Sequence, residues 1–174
     1  MSDYRSKIDE ALKATKGDII SFIQSLVQIP SLANHEDPVQ KIVFEKLTQL
    51  GLAAEYVPIH FDEIKDHPAF CDDGFSFDGR TNVIGNWKNN GNGPTLILNG
   101  HVDVVPVGPE ELWNESPWSG TVNNGRIYGR GACDMKGGLS SGIFAIQILL
   151  EIGFMPNGNI MIQSVVGEES GGCG

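Results

Sequence analysis

The sequence predicts an α/β fold in which helices cover a mixed, partly antiparallel sheet. Strand-length apolar runs at 52–59, 81–87, 95–99 and 159–166 alternate with stretches whose apolar residues recur at helical spacing. Three turns, NGHVDVVP (99–106), GRGACDMKG (129–137) and VVGEESGG (165–172), each stop an apolar run at ionisable groups. Ligands of open α/β sheets gather beyond the carboxyl ends of strands, so these turns mark the end of the sheet where chemistry belongs.

Taken in order, residues 4–15 and 18–28 read as two helices separated by Gly17, with Ile8, Leu12, Ile19, Phe22, Ile23, Leu26 and Val27 inward and Pro30 as the stop. A third helix over 38–50 carries Val39, Ile42, Val43, Phe44, Leu47 and Leu50, and Gly51 caps it. The 52–59 strand leads into an irregular stretch, 60–80, read as one helical turn and a long loop. Lys88-Asn-Asn-Gly-Asn-Gly93 has hairpin or tight-loop chemistry and joins the 81–87 and 95–99 runs. TLILNG is apolar on both faces, which predicts a central strand. A covering loop at 109–120 precedes a small hairpin at 121–128 with Asn-Asn-Gly at its centre. A helix over 137–152 starts on small residues and turns almost wholly apolar, which predicts burial, and 159–166 is a last central strand.

With 174 residues, 40% hydrophobic and 20% charged, the chain is one domain's length and has the composition of a folded core. A net charge of -10 and the absence of any Lys/Arg cluster exclude a nucleic-acid or anionic-membrane partner. The charged N-terminus, MSDYRSKIDEALKATKG, lacks the apolar segment of a signal peptide, and the uncharged stretch 137–150 is too short to span a bilayer. These features predict a cytoplasmic location. Cys71, Cys133 and Cys173 are odd in number and far apart, which argues against disulfides and zinc fingers. Cys133 reads as a small packed thiol rather than a ligand, and His60, His67 and Cys71 as loop residues.

The chemistry concentrates on five side chains. His101 and Asp103, two apart at a strand end, point the same way, so the imidazole can bind a metal while the carboxylate holds it. Taken alone, such a pair is more simply a His and an Asp satisfied in a turn. Asp134 sits in a glycine-flanked turn where it either caps the following helix or bridges two cations with its two oxygens. Glu168 and Glu169 are adjacent beyond a buried strand, so one can ligate metal while the other stays free as a base; the plainer alternative is a solvated acidic turn. Occurring together, the three turns favour the metal. Four carboxylates crowded into one cleft repel one another unless divalent cations neutralise them, and such cations activate water and polarise a carbonyl. The implied reaction is hydrolysis of an amide or peptide bond.

GHVDVVP, GRGACDMKGG and GEESGG, in this order and spacing, resemble the co-catalytic metallohydrolase family of acetylornithine deacetylase, succinyl-diaminopimelate desuccinylase, aminoacylase and glutamate carboxypeptidase. SPWSG and GRIYGRGACDMKGG are most similar to the acetylornithine deacetylase group. The resemblance implies a zinc-exopeptidase-like three-layer α/β/α fold and two zinc or cobalt ions. It makes His101 a ligand of one metal, Asp134 the bridge, Glu169 a ligand of the other, Glu168 the general acid/base and Asp103 the residue that orients His101. It also implies a cis peptide between Asp134 and Met135.

Members of that family continue past GEESGG to a further acidic ligand, a lid domain that commonly dimerises, and a late histidine. Residues 1–174 are therefore expected to be the N-terminal part of a catalytic domain, with weak metal binding and no turnover of their own. The expected substrate of the whole enzyme is a small N-acyl amino acid. A dipeptidase or carboxypeptidase of the same family, or a non-catalytic relative that keeps only the fold, is the alternative.

Overall fold

The computed structural model describes residues 2–89 and 91–174. Its elements are α1 (Ser2–Val27), α2 (Asp37–Gln49), β1 (Ala53–Pro58), α3 (Phe61–Ile64), β2 (Thr81–Trp87), β3 (Leu96–His101), β4 (Thr121–Asn123), β5 (Arg126–Tyr128), α4 (Gly137–Glu151) and β6 (Ile160–Val165). The order of the four-stranded sheet is β1-β2-β6-β3, and β4 and β5 form a separate hairpin. β2 runs antiparallel to β1 and β6, whereas β3 and β6 are parallel, which makes the sheet mixed.

Three expectations are corrected. α1 continues through Gly17 as one helix. A helical glycine costs only about 1 kcal/mol relative to alanine, and packing secures both ends, Tyr4 edge-on to Phe154 and Phe22 edge-on to Phe144. The runs at 81–87 and 95–99 do not pair with each other, because β6 enters between β2 and β3. The segment joining them instead binds the approach to β6, through Gly93 N–H to the Asn157 carbonyl (2.8 Å) and Asn89 N–H to Asn159 Oδ1 (2.9 Å). β3 is consequently an edge strand of this sheet rather than a central one, with Leu96 55% and Ile97 51% exposed. β6 takes the central place expected of it.

α2 forms where the helical spacing predicts. Val39, Val43 and Leu47 are buried, and Gly51 (φ 77°) ends the helix in a left-handed turn. There Leu52 N–H reaches the Leu47 carbonyl and Gly51 N–H the Thr48 carbonyl, the paired bonds that satisfy a helix end. The face of the sheet bearing Val83, Gly85, Ile162 and Leu98 receives α2 and α4: a Cβ at Gly85 would meet Leu47, and one at Gly142 would meet Ile162 and Leu98. Buried Gln40 links α2 to the far end of β6, donating to the Ser164 carbonyl (2.8 Å) and accepting from Ser164 Oγ (2.7 Å). Asn124 (φ 48°) and Gly125 (φ 75°) turn the small hairpin, as Asn-Gly pairs do.

β3, α4 and β6 together form a crossover unit, since parallel neighbours require a long connection and α4 supplies it. The carboxyl ends of β3 and β6 therefore lie side by side, with the turn that starts α4 next to them. No helix among the described residues is long and apolar enough to cross a membrane.

Ile162 is fully buried between the helices and the sheet. Ile162→Ala is expected to destabilise the fold by about 2–5 kcal/mol through lost burial and the cavity left behind. Urea unfolding measures this, and a change below about 1 kcal/mol would contradict the packing described.

Candidate metal centre

His101 ends β3, Asp134 lies in the turn before α4, and Glu169 follows β6. Because β3 and β6 are parallel neighbours, these three side chains meet: one ligand atom from each lies within 4.8 Å of the others, the one such group found among the described residues. His101 is buried, with Nε2 3.1 Å from Asp134 Oδ1 and 3.7 Å from Glu168 Oε2. Its Nδ1 stands 3.0 Å from the main-chain carbonyl of Asp103. A carbonyl only accepts, so Nδ1 donates to it, and Nε2 is the ring nitrogen turned toward the carboxylates.

The contact between Asp103 and His101 thus runs through the backbone, and the Asp103 carboxylate is 3.6 Å from Nδ1. That carboxylate also ties the end of β3 to the acidic turn, its Oδ2 accepting the N–H of Glu169 at 2.9 Å. Its Oδ1 is buried with no hydrogen-bond partner among the described residues.

Asp134 does not cap α4, and its side chain is 75% exposed. It sits in a distorted helical turn, residues Ala132–Lys136, where Asp134 and Met135 leave helical geometry and the peptide between them is cis. Cys133 is exposed, not packed as its size suggested, because the same turn carries it outward. His60, His67 and Cys71 are exposed and take no part in the group.

Two buried cations that the sequence reading passed over stand behind the acidic turns. Lys136 is 0% exposed and donates from Nζ to the carbonyls of Leu26 (2.8 Å) and Ile29 (2.9 Å) at the end of α1. Burial lowers its pKa to about 8, against the pull of the Asp103 charge. It pins the Asp134 turn to α1. Arg80, just before β2, binds Asp73 Oδ2 (2.6 Å) and Glu36 Oε1 (3.0 Å), all three nearly fully buried. Asp73 also accepts from Ser170 Oγ (3.1 Å), the residue after Glu169. Gly167 (φ 73°) lets the acidic turn close on this cluster, since a Cβ there would run into Cys173 Sγ and the Arg80 guanidinium. The visible signals were a lone lysine inside a glycine-rich turn and an arginine amid the acids of the 71–80 loop.

The donor set fits a cation. One imidazole nitrogen and two carboxylate oxygens, with Glu168 alongside, are the ligands that zinc and similar divalent ions take. Burial, together with the Asp134, Glu168 and Asp103 charges, pushes the Glu169 carboxyl above its usual range, while His101 pulls it down. A cation removes that conflict.

Residues 97–174 match peptidase family M20/M25/M40. The succinyl-diaminopimelate desuccinylase of Buchnera aphidicola subsp. Baizongia pistaciae is 31% identical over 129 residues, 74% of this chain and 29% of that protein. The N-formyl-4-amino-5-aminomethyl-2-methylpyrimidine deformylase of Bacillus subtilis is 40% identical over 109 residues, 58% of this chain and 26% of that protein. Among solved structures, the M20 family metallo-carboxypeptidase Sso-CP2 from Sulfolobus solfataricus superimposes with a TM-score of 0.69 at 27% identity, covering 86% of this chain and 30% of that one. The chain therefore spans under a third of the length of each of these relatives.

Burial raises the pKa of Asp73, but hydrogen bonds from Arg80, Phe75 N–H and Ser170, and the guanidinium charge, outweigh it and hold the carboxyl below its usual range. A depressed acid pKa stabilises the fold at pH values above the unfolded pKa, about 3.9, and that contribution is lost as pH falls through the lower folded value. Asp73→Asn, which leaves Arg80 half-paired, is expected to cost about 3 kcal/mol at neutral pH and to flatten the acid limb of stability. Denaturation at a series of pH values from neutral into the acid range tests this; an unchanged acid limb would remove the pair from the picture.

Proposed function

We propose that the protein carrying this chain, whose residues 97–174 match peptidase family M20/M25/M40, is a metal-dependent amidohydrolase of that family that deacylates a small N-acyl amino acid, in the manner of acetylornithine deacetylase. The observation that carries the proposal is the meeting of His101, Asp134 and Glu169 donor atoms within 4.8 Å at the ends of two parallel strands. Two of the relatives bear the names of deacylating enzymes, a desuccinylase and a deformylase, which supports the acyl side of the reading.

In this proposal His101, Asp134 and Glu169 would hold divalent ions, zinc or cobalt. Such ions, when bound, polarise the amide carbonyl and lower the pKa of water. Glu168 takes the proton from the attacking water and hands it to the departing amine. Its exposure (57%) and its 3.7 Å distance from His101 Nε2 support that role, since a base must reach both solvent and the reacting centre. The Asp103 carbonyl keeps the His101 proton on Nδ1, so Nε2 is free to donate its lone pair. The adjacent glutamates divide the labour, one ligating and one moving protons.

A second reading, cleavage of a dipeptide or a C-terminal residue, is favoured by the resemblance to a metallo-carboxypeptidase. Both readings use the same ions and the same base and differ in the amine and acyl partners. The test is hydrolysis by the full-length protein of N-acetylornithine, other N-acyl amino acids and dipeptides with added zinc or cobalt. Glu168→Gln is expected to keep its metal and lose activity by about 100-fold or more, whereas His101→Ala loses metal. Undiminished turnover in the Gln variant would end the base assignment. Three donors for two ions fall short of the three protein ligands per catalytic zinc that are usual, so the 174-residue chain alone is expected to bind zinc weakly. Tight stoichiometric binding in calorimetry would contradict that.

A further inference from the structure

Against the candidate centre, and sharing Asp103 and Glu169 with it, lies a hollow of about 360 Å³. Its walls are Leu32 and Ala33 from the loop after α1, Phe75 from the 70s loop, and Val104, Val105 and Pro106 from the segment after β3. Phe75 is 44% exposed, an aromatic face turned partly to water beside the centre. His35 is the one other titratable side chain on the lining besides the two acids.

Such a lining offers few partners to a polar group, which would give up its hydrogen bonds to water on entry. A carboxylate would in addition meet Asp103 and Glu169 in a chain whose net charge is already -10. An aliphatic or aromatic group meets neither penalty and gains from burial against Leu32, Phe75 and Val105. Continuity with Glu169 places that group next to a bond held at the centre.

Resting on the amidohydrolase reading, we propose that this hollow is a specificity pocket for an uncharged aliphatic or aromatic group flanking the scissile amide. The substrate class then becomes N-acyl amino acids with an apolar acyl tail or an apolar side chain, in preference to those ending in a carboxylate. Ala33 and Val105 are the specificity-determining positions, since a larger side chain at either one takes up the space.

Two substrate series in the full-length protein separate the two sources of the group. An acyl series runs from formyl through hexanoyl, with succinyl as the charged control; an amine series runs from N-acetylalanine through N-acetylnorleucine to N-acetylphenylalanine, with N-acetylglutamate as the charged control. In the series that uses the pocket, kcat/KM is expected to rise about fourfold per added methylene, with the charged member falling below its apolar isostere. Ala33→Phe and Val105→Phe should each abolish that rise. Equal or better hydrolysis of the charged members, or a rise with chain length that survives both substitutions, overturns the proposal.

A binding measurement needs no turnover and so separates this proposal from the amidohydrolase reading. Hexanamide, and not the carboxylate-bearing succinamate, should shift the methyl resonances of Leu32, Ala33, Val104 and Val105 in the full-length protein. If hexanamide leaves those resonances unmoved the pocket is wrong even in an active enzyme, and if it shifts them while no amide is cleaved the pocket stands and the hydrolase reading fails.

Discussion

Like-charge repulsion is the constraint around which this structure is arranged. Asp103, Asp134, Glu168 and Glu169 come from three turns and converge on a buried imidazole at one end of the sheet. The strain shows in Glu169, whose carboxyl burial and neighbouring acids push above its usual range. A fold can hold such a group only if the turns are fastened from behind and the charge is answered from in front. Lys136 and Arg80 do the fastening, each from a buried position and each to a different part of the chain. In the proposed reading the answering charge comes from cations, for which the nitrogen and oxygen donors are suited.

The crossover from β3 through α4 to β6 is what makes the convergence possible. Parallel pairing sets the ends of β3 and β6 at the same level, with His101 opposite Val165, and the acidic turn begins two residues later. The Asp134 turn enters from the start of α4 between them. Small residues permit the approach: a Cβ at Gly100 would press on Met135 and Leu139. Asp103 then closes the arrangement, its carbonyl on His101 and its carboxylate on the backbone of Glu169.

Much of this was legible in the sequence because the chemistry-bearing residues stand where apolar runs stop, and a strand that ends in His-x-Asp or Glu-Glu has no packing reason to do so. The mixed sheet was legible for a similar reason, since strand and helix periodicities alternate. Pairing was not. KNNGNG carries the local signals of a hairpin, but those signals are short-range, and the partner of β2 proved to be β6, far along the chain and beyond α4. TLILNG looked central because apolar residues occupy both of its faces, yet in this chain Leu96 and Ile97 face outward on an edge. Lys136 and Arg80 were missed because a buried cation looks like a surface cation until its partners are known, and those partners lie in α1, at the start of α2 and in the 70s loop.

Beneath all of this lies the claim that His101, Asp134 and Glu169 are brought together to share divalent cations. Anomalous diffraction from crystals soaked in zinc tests it most directly. Density is predicted between these three side chains, about 2 Å from His101 Nε2 and from carboxylate oxygens of Asp134 and Glu169. Zinc found only on other surface carboxylates, with this cleft empty or its side chains turned apart, would contradict it.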